Sequence, residues 1–284
     1  MKSRKYLSMA VALIAGLLMA APMMSNAAFA AAAKINEATT PFDSVGAKIN
    51  LLSFKSGSGK QPAVLLIHDK DGVTEDMKAI ARTISGAGFA VFMPDYPSRP
   101  DQKKVQGAID QMAGMSTKVK RLNVAVTLAD TLAAFDVVAK DPSVDAAKIS
   151  VMGIGWGGWR AYQLAAAKPE LYKAVVVYGV APDDGSLALV KAPVLGIYAA
   201  GDFYITATHL TTKQELGNKF SYEIYKDTYP GFFGGSEAGG GPALMGEGEI
   251  DTAAAAKEAG LSKVVDKGPE SRKLAMARAL AFLK

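Results

Sequence analysis

Four short runs constrain the fold more than anything else in the chain: Val64-Leu65-Leu66-Ile67, Ala90-Val91-Phe92-Met93, Ala174-Val175-Val176-Val177 and Val194-Leu195-Gly196-Ile197. A strand with one face in water alternates apolar and polar side chains. A strand with no polar position has to be covered on both faces. Stretches with helical spacing separate these runs. One spans 74–87, with Thr74 as N-cap and Gly88 just past its end. A second spans 123–139, with Val124, Leu128, Leu132, Phe135 and Val138 on one side; others lie at 156–167, 206–219 and 271–283. Strand alternating with helix predicts an α/β fold, a mostly parallel central sheet with helices on both faces.

Further strands are predicted over 46–54, 149–153 and 221–226, and a short helix over 104–112. Residues 34–42 read as a loose lead-in. Residues 231–248 are glycine-rich and low in complexity, and a short alanine helix follows at 252–260. This insertion, at about 231–268, is expected to act as a lid or a mobile segment.

The N-terminus has a different composition. Lys2, Arg4 and Lys5 precede an uncharged stretch from Tyr6 to Met24, and Ala28-Phe29-Ala30 provides a small-x-small exit. That is the layout of a cleavable signal peptide over residues 1–30, with cleavage expected after Ala30 and Ala27 as the second candidate site. The reading predicts a periplasmic or secreted protein, with no membrane attachment after cleavage and a single domain over 31–284. The whole chain carries 32 basic and 27 acidic residues, and loss of the leader's three bases leaves +2. A charge that small gives no reason to expect nucleic acid as a partner. The absence of cysteine rules out disulfides and thiolate metal sites. No metal and no cofactor are expected.

The chemistry is expected at Ile149–Ala161, ISVMGIGWGGWRA, where an apolar strand enters a glycine cluster and a helix follows. Gly153-x-Gly155-x-x-Gly158 matches a dinucleotide fingerprint, but its context is wrong. The turn follows a late strand, and no acidic residue closes the next one, which ends at Tyr178-Gly179. The same residues also spell a nucleophile elbow, Gly153-Ile154-Gly155-Trp156-Gly157, in which small residues permit a sharp strand-to-helix turn.

Several segments then line up in one order: PAVLLIHDKDG at 62–72, GFAVFMPDYPSRP at 88–100, KISVMGIGWGG at 148–158, APVLGIYAAGD at 192–202 and YPGFFGG at 229–235. Together they resemble the dienelactone hydrolase family over about 45–235 plus the last helix. The resemblance implies an α/β-hydrolase fold and hydrolysis of carboxylic esters or lactones by a Cys/Ser-His-Asp triad. Carried over by position, the acid is retained as Asp202. The nucleophile position is Gly155, and the histidine position is Gly234, or Phe233 if the register slips by one. The family's His-Glu pair reads here as His68-Asp69. The backbone amides of Lys70 and Trp156 are the candidate oxyanion-hole donors.

The chain's two histidines, His68 and His209, are the only imidazoles available to replace the missing one. His68 ends a buried strand and is expected to be a hydrogen-bonded core or rim residue. His209 is expected on a solvated helix face. His68, Asp69, Tyr96, Phe203 and Phe232 are the candidate pocket residues. Asp69, Asp71 and Asp202 lie at strand ends, where open α/β sheets bind ligands. Two functions follow. The first is a non-catalytic protein that binds a small apolar or aromatic carboxylate or lactone. The second is a hydrolase with an unorthodox site, using Asp69 or Asp202 as base.

Overall fold

The computed structural model describes residues 34–69, 71–100, 124–226, 228, 231–233 and 268–284. Ala33–Lys284 forms one compact unit. Eight strands form one sheet in the order β1-β2-β4-β3-β5-β6-β7-β8. They are β1 (Asn36–Ser44), β2 (Ala47–Lys55), β3 (Gln61–Ile67), β4 (Ala90–Asp95), β5 (Val144–Ile154), β6 (Ala174–Val177), β7 (Val194–Ala199) and β8 (Phe220–Tyr225). From β4 through β8 the sheet is parallel; β1 and β2 join it as an antiparallel hairpin. The helices are α1 (Glu75–Gly86), α2 (Val124–Ala139), α3 (Trp156–Ala167), α4 (Phe203–Leu216) and α5 (Gly268–Leu283). This is the α/β-hydrolase type of sheet.

The four uncharged runs are β3, β4, β6 and β7, and they are buried on both faces. Along β3, Ala63, Leu65 and Ile67 join the core under α2, α3 and α4. Val64 and Leu66 join the opposite core, under α1 and α5. At α1 the Thr74 hydroxyl accepts the Met77 amide at 3.2 Å, so the predicted N-cap is in place.

One expectation needs correcting. Residues 34–42, read as a loose lead-in, contribute most of β1. Six of its first seven residues are exposed, so no apolar alternation marks it. A two-residue turn holds it instead: Ser44 pairs with Ala47 across Val45 and Gly46, both at positive φ (46° and 71°). That is the primed turn that matches strand twist, although valine is a strained choice for it. Arg99 grips the turn from the core, donating to Val45 O at 2.8 Å and to the Asp130 carboxylate at 2.8 Å. The short helix read at 104–112, most of the glycine-rich insertion and the leader lie outside the described residues.

Candidate functional site

Strand order reverses at β3. The chain moves from β3 outward to β4, then returns to place β5 on the other side of β3. In open α/β sheets the crevice beyond the carboxyl ends of two such strands is the natural ligand site. Ile67 of β3 pairs with Gly153 of β5. Two residues beyond each, Asp69 and Gly155 stand level with one another at that mouth.

The β5–α3 turn has the elbow geometry. Gly155 sits at φ 55° and ψ −118°, a conformation open to glycine and strained for other residues. Gly157 lets α3 approach β3 closely, since a Cβ there would lie 2.7 Å from the His68 carbonyl oxygen. The more telling result concerns Gly155. A Cβ there would lie 2.7 Å from Asp69 Oδ2 and nearer still to Oδ1 and Cγ. The Trp156 amide donates to Asp69 Oδ1 at 2.9 Å. The carboxylate therefore fills the volume of the missing nucleophile side chain. It also takes the backbone donor that would serve an oxyanion. Asp69, Gly155 and Trp156 are all half-buried, so the mouth meets solvent here.

His68 points into the core. It is fully buried, with Nδ1 2.8 Å from the Asp69 carbonyl oxygen. That acceptor makes Nδ1 the protonated nitrogen and leaves Nε2 a lone pair with no hydrogen-bond partner. Burial pushes its pKa down to about 4, so the ring is neutral at physiological pH. Tyr96, also fully buried, meets His68 edge-on at 5.1 Å and Trp156 edge-on at 5.6 Å. Its hydroxyl pairs with Thr131 Oγ1 at 2.7 Å. His68 and Tyr96 thus back the Trp156 ring from inside. His209, on α4, packs on Tyr222 at 4.5 Å and is half-buried rather than solvated.

The other named positions are distributed as follows. Asp202 is half-buried just past β7, and its amide donates to Ala199 O at 3.0 Å. The Phe203 backbone opens α4. Residues 231–233 are docked near the ends of β6 and β8. The Phe233 amide donates to the Tyr178 hydroxyl at 2.6 Å, Arg272 Nε donates to Phe232 O at 2.7 Å, and the Phe232 ring lies 5.5 Å from Tyr225. Lys70, the second candidate oxyanion donor, and Gly234, the first candidate for the histidine position, lie outside the described residues.

Two features were missed from the sequence. Tyr178 closes β6 at φ 38°, a strained value for an aromatic residue, where its hydroxyl holds the 231–233 turn. Arg160, one turn into α3, is fully buried between Trp156 (5.2 Å) and Trp159 (4.7 Å). It donates to Gln163 Oε1 at 2.5 Å and to the Thr127 hydroxyl. Burial lowers its pKa to about 10, which still leaves it charged. The signal was available: Thr127, Asp130 and Thr131 form a polar i, i+3, i+4 face on a helix whose other polar residue is Asp136. Among the described residues, no group of three His, Asp or Glu is placed to hold a metal. A surface pocket lined by Pro62, Phe89, Lys148, Tyr172 and Leu283 lies at the opposite end of the strands, away from this mouth.

Comparison with known proteins fits this geometry. The model of the dienelactone hydrolase family matches residues 50–267. The chain belongs to the dienelactone hydrolase family. A curated relative named "Putative carboxymethylenebutenolidase", from Yersinia pestis, is 29% identical over 169 residues, which is 56% of this chain. The match spans 62% of that relative's length. Among solved structures, a dienelactone hydrolase-like promiscuous phosphotriesterase from metagenomic libraries superposes with a TM-score of 0.63. It covers 88% of this chain and 98% of its own, at 16% identity. The dienelactone hydrolase of Anabaena variabilis gives a TM-score of 0.58 at 19% identity, covering 79% and 95%. At these identities the structural likeness shows the fold.

Proposed function

We propose that this family member does not carry out acyl transfer through the elbow and instead binds a small apolar or aromatic ligand, an ester, lactone or aromatic acid, at the switch-point mouth. One observation supports the reading above the others: the Asp69 carboxylate occupies the nucleophile's volume and takes the Trp156 amide. A tetrahedral oxyanion needs a donor already aimed at it, and loss of one such donor typically costs about 2.7–4 kcal/mol of transition-state stabilisation. Position 155 has no attacking atom, and the neutral His68 donates its Nδ1–H to the backbone, not to a triad partner.

The test is steady-state turnover of p-nitrophenyl esters and of a dienelactone by the mature chain, beside Asp202→Ala. The expected result is no saturable turnover in either. Saturable turnover that Asp202→Ala abolishes would favour the other reading, a hydrolase built around Asp69 and Asp202. Ligand binding is read separately, as a concentration-dependent rise in Tm with neutral lactones and aromatic acids. We further propose export, with residues 1–30 as the leader. The mass of the protein recovered from the periplasm or medium would then begin at residue 31, whereas an intact N-terminus retained in the cytoplasm would refute export.

A further inference from the structure

We infer that Asp69 is a carboxylate nucleophile toward saturated carbon, a modification site for neutral aromatic alkyl halides that enter the switch-point mouth. The inference rests on the reading that this mouth admits small neutral aromatic compounds. Three observations carry it.

The first is position. The Asp69 oxygens lie where the side chain of an elbow nucleophile would begin, at a mouth where Asp69, Gly155 and Trp156 are each half-buried. The second is the direction of the hydrogen bond. The Trp156 amide holds an oxygen of the attacking group itself at 2.9 Å and so fixes the carboxylate's orientation. Acyl transfer would need that donor for the substrate's oxyanion. Substitution at a saturated carbon develops no oxyanion there, because the negative charge passes to the leaving group. An elbow whose amide is committed to a carboxylate therefore suits displacement and not acyl transfer. The third is the wall. The Trp156 ring, backed by Tyr96, a neutral His68 and the Arg160 guanidinium at 5.2 Å, is a half-buried aromatic surface on which a neutral ring can stack.

The step balances. A lone pair of an Asp69 carboxylate oxygen forms the new C–O bond, the carbon–halogen bond breaks, and its pair leaves as halide. The product is a neutral alkyl ester of Asp69. Water adding at the ester carbonyl would release the alcohol and a proton and regenerate the carboxylate. His68, buried with its Nδ1–H on the Asp69 carbonyl, is not oriented to activate that water. The ester accumulates, which makes it measurable.

The experiment treats the mature protein with phenacyl bromide at neutral pH and maps the adduct by peptide mass spectrometry. The chain has no cysteine, so no thiol competes. The expected result is one phenacyl ester, at Asp69, formed at a rate that saturates with reagent and absent in Asp69→Asn. Gly155→Ala keeps the carboxylate but displaces it from the seat, and should slow labelling about tenfold or more through lost orientation. Circular dichroism confirms that both variants are folded. Labelling spread over many carboxylates, labelling only at methionine or histidine, or an Asp69 adduct unaffected by Gly155→Ala would each overturn the inference. Acetophenone, which cannot alkylate, separates the two readings. Stabilisation by acetophenone without an Asp69 adduct overturns only the nucleophile, whereas neither stabilisation nor adduct overturns the binding site as well.

Discussion

Replacing Gly155 with alanine probes the seat with a single methyl group. The new Cβ would lie 2.7 Å from Asp69 Oδ2 and closer to Oδ1. A carboxylate at the end of a side chain can swing away, so the clash is relieved at the expense of the Trp156 amide–Asp69 hydrogen bond. A hydrogen bond to a charged group contributes about 1.5–3 kcal/mol, with the lower end appropriate to this half-exposed pair. Alanine at φ 55° and ψ −118° adds backbone strain of about 1–3 kcal/mol. Together the expected loss is roughly 2.5–4.5 kcal/mol, large against the 5–15 kcal/mol typical of a domain but small enough to leave a folded protein. Urea denaturation of four proteins measures it: wild type, Gly155→Ala, Asp69→Ala and the double variant. In the Asp69→Ala background the hydrogen bond is already gone, so Gly155→Ala should cost only the strain. The two substitutions should therefore couple by about 1–2 kcal/mol. A neutral Gly155→Ala, or an equal cost in both backgrounds, would refute the claim that the Asp69 carboxylate sits in the elbow.

Four other outcomes follow from the same structure. Val45→Asn relieves a β-branched residue at φ 46° in the β1–β2 turn; it should add about 1 kcal/mol and raise Tm by about 2–4 °C by calorimetry. Tyr178→Phe strips the buried acceptor from the Phe233 amide, and should lower unfolding free energy by about 1–3 kcal/mol while speeding amide exchange at Phe233. His68, held at about 4 against an ordinary 6.5, takes up a proton more readily when unfolded. Its contribution to stability is complete above pH 6.5 and is lost as pH falls toward 4, by ~3 kcal/mol in all; a His68→Gln variant should lack that part of the acid slope in denaturation measured across this window. Arg160→Met removes a buried cation from between two tryptophans and takes the Arg160 donor from the buried Thr127 hydroxyl, and should destabilise by about 1–3 kcal/mol in urea.

The parallel strands β3, β4, β6 and β7 were legible in the sequence because burial on both faces removes polar residues from their central runs. Strand β1 was not legible for the opposite reason. An exposed edge strand needs no apolar alternation, and a turn and an arginine 55 residues along hold it in place. The elbow and the family were legible because the glycines are dictated by backbone approach, which is local. The role of Asp69 was not. As a residue type it is one methylene shorter than the family's glutamate, which reads as a small loss. Only the register of Ile67 with Gly153 reveals that its carboxylate reaches the space Gly155 leaves empty. Arg160 and Asp130 were missed because charged residues are ordinarily assigned to the surface. The polar face of α2 that carries Asp130 and receives Arg160 becomes informative only once the helix is known to be buried.

The most direct measurement is the chemical shift of the Trp156 backbone amide as a function of pH, in wild type and in Asp69→Asn. With the carboxylate in the elbow, the Trp156 proton resonates downfield, moves upfield along a single titration as Asp69 is protonated, and shows no such titration in the asparagine variant. A Trp156 amide that ignores both pH and the substitution would place the carboxylate elsewhere and leave the oxyanion donor available for catalysis.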